Sequence, residues 1–163
     1  MIAYDTATED HVFQMINELY RGDGSSRDEV NQWLQGFQRT PYAWKISDEL
    51  LYTKRSIEAV SFASQTIRSK VLYDFAELPA DSHNQLMESI LSHVMKMDNQ
   101  VALTQLCLSL ADLVLQMAPT NDYLMNLLSQ LEQKQIALLT IMTLLPEGKI
   151  LLRMLSLSKV LTE

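Results

Sequence analysis

The run Ser56–Glu77 reads SIEAVSFASQTIRSKVLYDFAE, and it decides the fold class. Val60, Ala63, Ser64, Ile67, Val71 and Phe75 recur three and four residues apart, which lines one face of a helix. The offsets 0, +3, +4 and +7, filled here by Val60, Ala63, Ser64 and Ile67, return elsewhere. They are met by Val30, Trp33, Leu34 and Phe37, by Leu103, Leu106, Cys107 and Leu110, and by Leu138, Ile141, Met142 and Leu145. Successive sets start 30, 43 and 35 residues apart. A period of roughly 40 residues is what stacked helix pairs in a solenoid require. Any amphipathic helix offers these offsets, so the stripes alone fit a compact bundle equally well.

Working outward, helix signals recur along the chain. Thr8, followed by Glu9 and Asp10, opens a first helix whose stripe is Val12, Phe13, Ile16, Leu19 and Tyr20, and Gly22 stops it. Ser26 and Glu29 have capping-box spacing ahead of Val30. Thr40-Pro41 starts the next helix, threonine as cap and proline first, with Trp44, Ile46, Ser47, Leu50 and Leu51 as its apolar band. Pro79 ends the Ser56–Glu77 helix, and Ser82 with Gln85 makes a second capping box before Leu86, Met87, Ile90, Leu91 and Val94. Asp98 or Asn99 opens a helix to Met117, and Pro119-Thr120-Asn121 breaks it. Leu124, Leu127, Leu128 and Leu131 mark another, Gln135–Leu145 the next, and an apolar segment from Ile150 a last one. The count is eight helices and part of a ninth, without strand-like alternation.

Composition agrees. Only 8 of 163 residues are glycine or proline, too few for a turn-rich β fold, and 47% apolar with 20% charged residues excludes a disordered chain. Two features favour a solenoid of the HEAT or armadillo type, with about four helix pairs, over a bundle. Between Asn99 and Leu145 the only charges are Asp112, Asp122, Glu132 and Lys134, where about twelve would be average. Helices flanked on both sides need few charges. The segment from Ile150 to Leu161 is apolar, whereas a solenoid end needs a polar cap. Residues 1–163 are therefore expected to be the N-terminal piece of a longer array, or else the last helix folds back or pairs with another chain.

The net charge of −7 argues against nucleic acid as a partner and for a basic protein surface. Cys107 is the one cysteine, set in an apolar run, and reads as a small buried hydrophobe in a reducing compartment. The first residues lack the basic start and apolar core of a signal peptide. The longest uninterrupted apolar stretch, near Ile136–Leu145, is shorter than the ~20 residues of a bilayer span, so no membrane insertion is expected.

No catalytic constellation is present. His11, His83 and His93 fall on separate elements with no metal-ligand spacing and read as solvent-facing or capping residues. Phosphate loops, dinucleotide fingerprints and nucleophile elbows are missing. Asp74 and Glu77 read as helix-surface carboxylates, and the nine methionines as core filler. The expectation is a binding protein rather than an enzyme, without cofactor or metal. Ser61, Gln65, Arg68, Ser69 and Leu72 lie off the buried stripe of one helix, and Thr104, Gln105, Leu108, Ser109, Asp112 and Gln116 off that of another. Asp112, between Ala111 and Leu113, must face water or meet a basic group.

Longer strings carry a resemblance. Trp33-Leu34-Gln35-Gly36-Phe37-Gln38-Arg39, Ala43-Trp44 and Phe62-Ala63-Ser64-Gln65-Thr66-Ile67-Arg68-Ser69-Lys70-Val71 resemble the N-terminal domain of importin-β-type nuclear transport receptors. Glu77–His83, Thr104–Leu113 and Leu144-Leu145-Pro146-Glu147 resemble its transportin-SR and importin-thirteen branch. The resemblance implies a right-handed superhelix of HEAT repeats with second helices lining the concave face. It implies binding of the GTPase Ran in its GTP form, import of Arg/Ser-rich cargo by the longer receptor, and shuttling between cytoplasm and nucleus. Gln65, Arg68, Ser69, Gln105 and Asp112 occupy the matching inner helices and are the candidate GTPase contacts, on a wall expected to be acidic; alternatively they only solubilise their helices. A passive scaffold that binds peptides regardless of nucleotide is the rival reading.

Overall fold

A computed structural model describes residues 2–22, 24–117 and 122–144. Among them eight α-helices follow one another with no strand: α1 (Glu9–Arg21), α2 (Arg27–Gln38), α3 (Tyr42–Thr53), α4 (Ile57–Tyr73), α5 (His83–Lys96), α6 (Gln100–Met117), α7 (Asp122–Leu131) and α8 (Gln135–Leu144). Short 3-10 turns occupy Tyr4–Thr6, Phe75–Glu77 and Ala80–Ser82. The expected helix after Ile150 lies outside the described residues.

Three starts form as their sequence dictates. The Thr8 hydroxyl accepts the His11 N–H while His11 Nδ1 accepts the Thr8 N–H, so this histidine is itself a cap. Ser56 Oγ accepts the Ala59 N–H at 3.1 Å and Asn99 Oδ1 the Ala102 N–H at 2.9 Å. Gly22 closes α1 where a Cβ would lie 2.4 Å from the Glu18 carbonyl oxygen.

Other starts differ. The hydroxyl of Ser26 donates to the Glu18 carboxylate on α1, that of Ser82 to the Pro79 carbonyl, and that of Thr40 to the Phe37 carbonyl, leaving Pro41 in the cap position of α3. Two of these hydroxyls satisfy a carbonyl of the turn behind them instead of an N–H ahead. α4 also ends earlier, at Tyr73. Lys70 Nζ meets both Asp74 and Glu77 at 2.9 Å. In a continuous helix Glu77 would sit about 10 Å further along the axis, so the chain folds back to bring it within reach.

Pairs pack as α1 on α2, α3 on α4, α5 on α6 and α7 on α8. The second helices stack α4 on α6 and α6 on α8, the first helices touch at α3–α5, and α1 also packs on α3 and α4. Short connections make each pair antiparallel. This is the α-solenoid of HEAT-like pairs expected from the sequence. The stripes of the first three second helices are buried throughout, and Ile141 is buried in the fourth. In α1, Val12 and Ile16 are buried, but Tyr20 is exposed.

At the N-terminal end Tyr4 packs on Trp33 and Phe37, and Trp33 Nε1 donates to the Ile2 carbonyl at 2.8 Å. Gly36 makes room for it, because a Cβ there would lie 2.1 Å from the Tyr4 hydroxyl. α6 is long and apolar enough to cross a membrane by length and composition, although Thr104, Gln105, Ser109 and Asp112 interrupt its apolar run. Half of it is buried in the protein, among α4, α5 and α8, and this placement accounts for its few charges.

Candidate functional site

The helical period leaves one free face on each second helix. On α4 it carries Ser61, Gln65, Arg68 and Leu72, with Ser69 at its edge; on α6 it carries Val101, Thr104, Gln105, Leu108, Asp112 and Leu115. All five candidate residues are therefore off the core, Gln65 and Ser69 exposed and the other three half-buried. Stacking α4 on α6 brings three of them together. Arg68 Nη1 donates to Gln105 Oε1 at 3.1 Å, and the charge of Arg68 acts on Asp112. Burial pushes the Asp112 carboxyl above its ordinary range and Arg68 pulls it partly back, so Asp112 has found the basic neighbour its setting required. Arg68 Nε is buried without a partner. Nearby, Gln116 Nε2 donates to the Val71 carbonyl at 2.6 Å and pins the end of α4 to α6.

The free faces of α4 and α6 are not acidic. Arg68 and Asp112 are the only charges on these two faces from Ser61 to Leu72 and from Val101 to Leu115, and they offset one another. Net charge gives the excess of carboxylates over cations and nothing about where helices turn them.

A second cluster lies on the first-helix layer. Asp48 of α3 accepts hydrogen bonds from His93 Nε2 at 2.7 Å and from the Ser89 hydroxyl, both on α5. His93 is buried, neither solvent-facing nor a cap as the sequence suggested. The His93 hydrogen bond holds the Asp48 carboxyl below its ordinary range, against the effect of burial and with help from Ser89. Above the cluster opens a groove of about 300 Å³ lined by Trp44, Leu51, Leu78, Leu86 and Ile90. Ser89 bonds to the carboxylate rather than to the imidazole, so the trio is no nucleophile relay. Among the described residues no three His, Cys, Asp or Glu side chains are grouped to hold a metal.

The sequence missed Lys70, which is fully buried over the Trp44 ring. It also missed Lys134, whose ammonium gathers the Val94, Met95 and Met97 carbonyls at the end of α5. Only an apolar stripe interrupted by a lysine signalled the first; nothing local signalled the second.

No protein-family model matches the chain. It is 42% identical to Transportin MOS14 of Arabidopsis thaliana over 81 residues, 48% of this chain and 8% of that protein. It is 32% identical to the mRNA transport regulator MTR10 of Saccharomyces cerevisiae over 143 residues, 83% of this chain and 15% of that protein. Identity to human Importin-13 is 26% over 115 residues, 69% of this chain and 12% of that protein. The homologues of this chain are thus importin-β family transporters. The chain spans less than a sixth of the length of each of these three relatives.

Proposed function

We propose that residues 1–163 are the N-terminal HEAT-repeat segment of a nuclear import receptor of the transportin-SR and importin-thirteen branch. The segment binds Ran in its GTP form by non-covalent contact, Arg/Ser-rich cargo is carried by the longer receptor, and the receptor shuttles between cytoplasm and nucleus. The observation that carries this reading is the 32% identity to a transport regulator over 83% of the chain. The fold supports it, because stacked second helices leave a continuous protein-sized face and no reactive centre is needed. On that face Gln65, Arg68, Ser69, Gln105 and Asp112 contact the GTPase, and the bond from Arg68 to Gln105 fixes their register across α4 and α6.

Equilibrium binding of the chain to Ran loaded with GTP or GDP tests the reading. Preference for the GTP form is expected, weakened by Arg68→Glu. Equal affinity for both forms, or none for either, would favour a scaffold indifferent to nucleotide.

A further inference from the structure

We infer that the groove between α3 and α5 is a docking site for an extended peptide segment of a partner protein, one that carries a lysine or arginine beside a large apolar side chain. The groove opens on the layer of first helices, and Ile67 from the buried stripe of α4 also lines it. None of Gln65, Arg68, Ser69, Gln105 and Asp112 lines it, so the site is independent of GTPase binding. Its walls are built in advance. Leu78 and Ser82 reach the groove from the connection between α4 and α5, which Lys70 fastens through Asp74 and Glu77. His83 Nε2 donates to the Leu78 carbonyl at 3.2 Å, and the His83 ring packs on Phe75. At about 300 Å³ the groove stands at the lower end of the range of ligand sites, with room for one large side chain and part of its neighbour but not for a helix.

Charge decides what the groove fits. His93 and Ser89 both donate to Oδ1 of Asp48, so Oδ2 has no donor among the described residues, on a side chain that is 50% exposed. The His93 hydrogen bond favours the ionised form of this carboxylate. Lys45 is the one other Asp, Glu, Lys or Arg of the lining, and its ammonium pairs with Glu49 at 3.6 Å. No lysine or arginine among the described residues therefore neutralises Asp48. A cation from outside can meet Oδ2 while the apolar side chain beside it covers Leu51 and Leu86, whereas an anionic segment would be repelled. The exposed amide of Gln85, also in the lining, offers donors and an acceptor that match a peptide group.

The test follows backbone amide resonances of the chain while three acetylated, amidated tripeptides are titrated in: Gly-Trp-Lys, Gly-Trp-norleucine and Gly-Trp-Glu. The lysine peptide should shift amides of α3 and α5 around Asp48 and Ser89. It should bind about threefold tighter than the norleucine peptide and about tenfold tighter than the glutamate peptide. Asp48→Asn should erase the preference for lysine and leave the norleucine peptide unaffected; a merely structural Asp48 would weaken both alike. Leu86→Ser should weaken all three, and a lysine peptide indifferent to it would overturn the site. Equal affinity for the lysine and norleucine peptides would mean an uncharged apolar pocket and overturn the inference, as would shifts outside the groove or none at all. The three peptides on the wild type decide even where a variant fails to fold, and none of these outcomes bears on GTPase binding.

Discussion

Lys70 takes a place on α4 where periodicity asks for an apolar side chain. It is tolerated because its ammonium reaches two carboxylates at the helix end and stands over the Trp44 ring, 5.5 Å from its centroid. Asp48 is the opposite case, a half-exposed carboxylate that becomes structural by gathering donors. Its folded-state value is depressed, so its stabilisation is complete above the unfolded value of about 3.9 and is lost as pH falls through the folded value. Asp48→Asn should lower stability near neutral pH by about 1 kcal/mol, a figure kept small by solvent screening. The deficit should shrink towards zero as pH falls below the unfolded value and through the depressed folded one. Urea midpoints of both proteins at several pH values check this, and a deficit that stays constant into acid would refute it. Legibility divides along similar lines. Thr8 is legible as a helix start, and Asn99 as one of two, because each side-chain oxygen serves an N–H three residues on. The bond that Ser26 makes is not legible, because its acceptor, Glu18, comes from another helix.

At the scale of elements, stripes identified the helices and turn residues bounded them, whereas their mutual register was hidden. Arg68 and Gln105 stand 37 residues apart and meet only because α4 lies on α6 at one particular shift. Lys134 shows how such register is locked. From the α7–α8 turn its ammonium reaches Val94 and Met97 carbonyls at 2.6 Å and Met95 at 3.3 Å. Lys54, in the left-handed conformation that closes α3, reaches the Lys96 carbonyl beside them. The unpaired carbonyls that end α5 are thus held by cations from the elements before and after it. Lys134→Met keeps much of the stem and removes the donors; it should cost about 1–2 kcal/mol. Thermal or urea unfolding measures the loss, and amide exchange at the end of α5 should accelerate selectively. A variant as stable as the parent would mean that water serves those carbonyls equally well.

The whole molecule is a row of layers, each touching its neighbours, with α6 joining α4, α5 and α8. In such an array one end can open while the other stays folded, since stability is a sum of local layers and interfaces. Two probes already in the chain separate the ends. Both tryptophans, Trp33 and Trp44, sit in the first two pairs, while the single cysteine, Cys107, sits in α6. Burial pushes the Cys107 thiol up to about 11, Lys134 pulling slightly the other way, and its sulfur is sealed in the core. At pH 8 only about one thiol in a thousand would be ionised even if reagent could enter, so labelling requires opening of the layers around α6. With rising urea, Cys107 should begin to react with a thiol reagent while tryptophan fluorescence remains native, because α8, whose Ala137 carbonyl faces the Cys107 sulfur, covers α6 from the less charged end. Coincidence of the two transitions would mean that the interfaces between layers are strong enough for α1–α8 to unfold as one cooperative block.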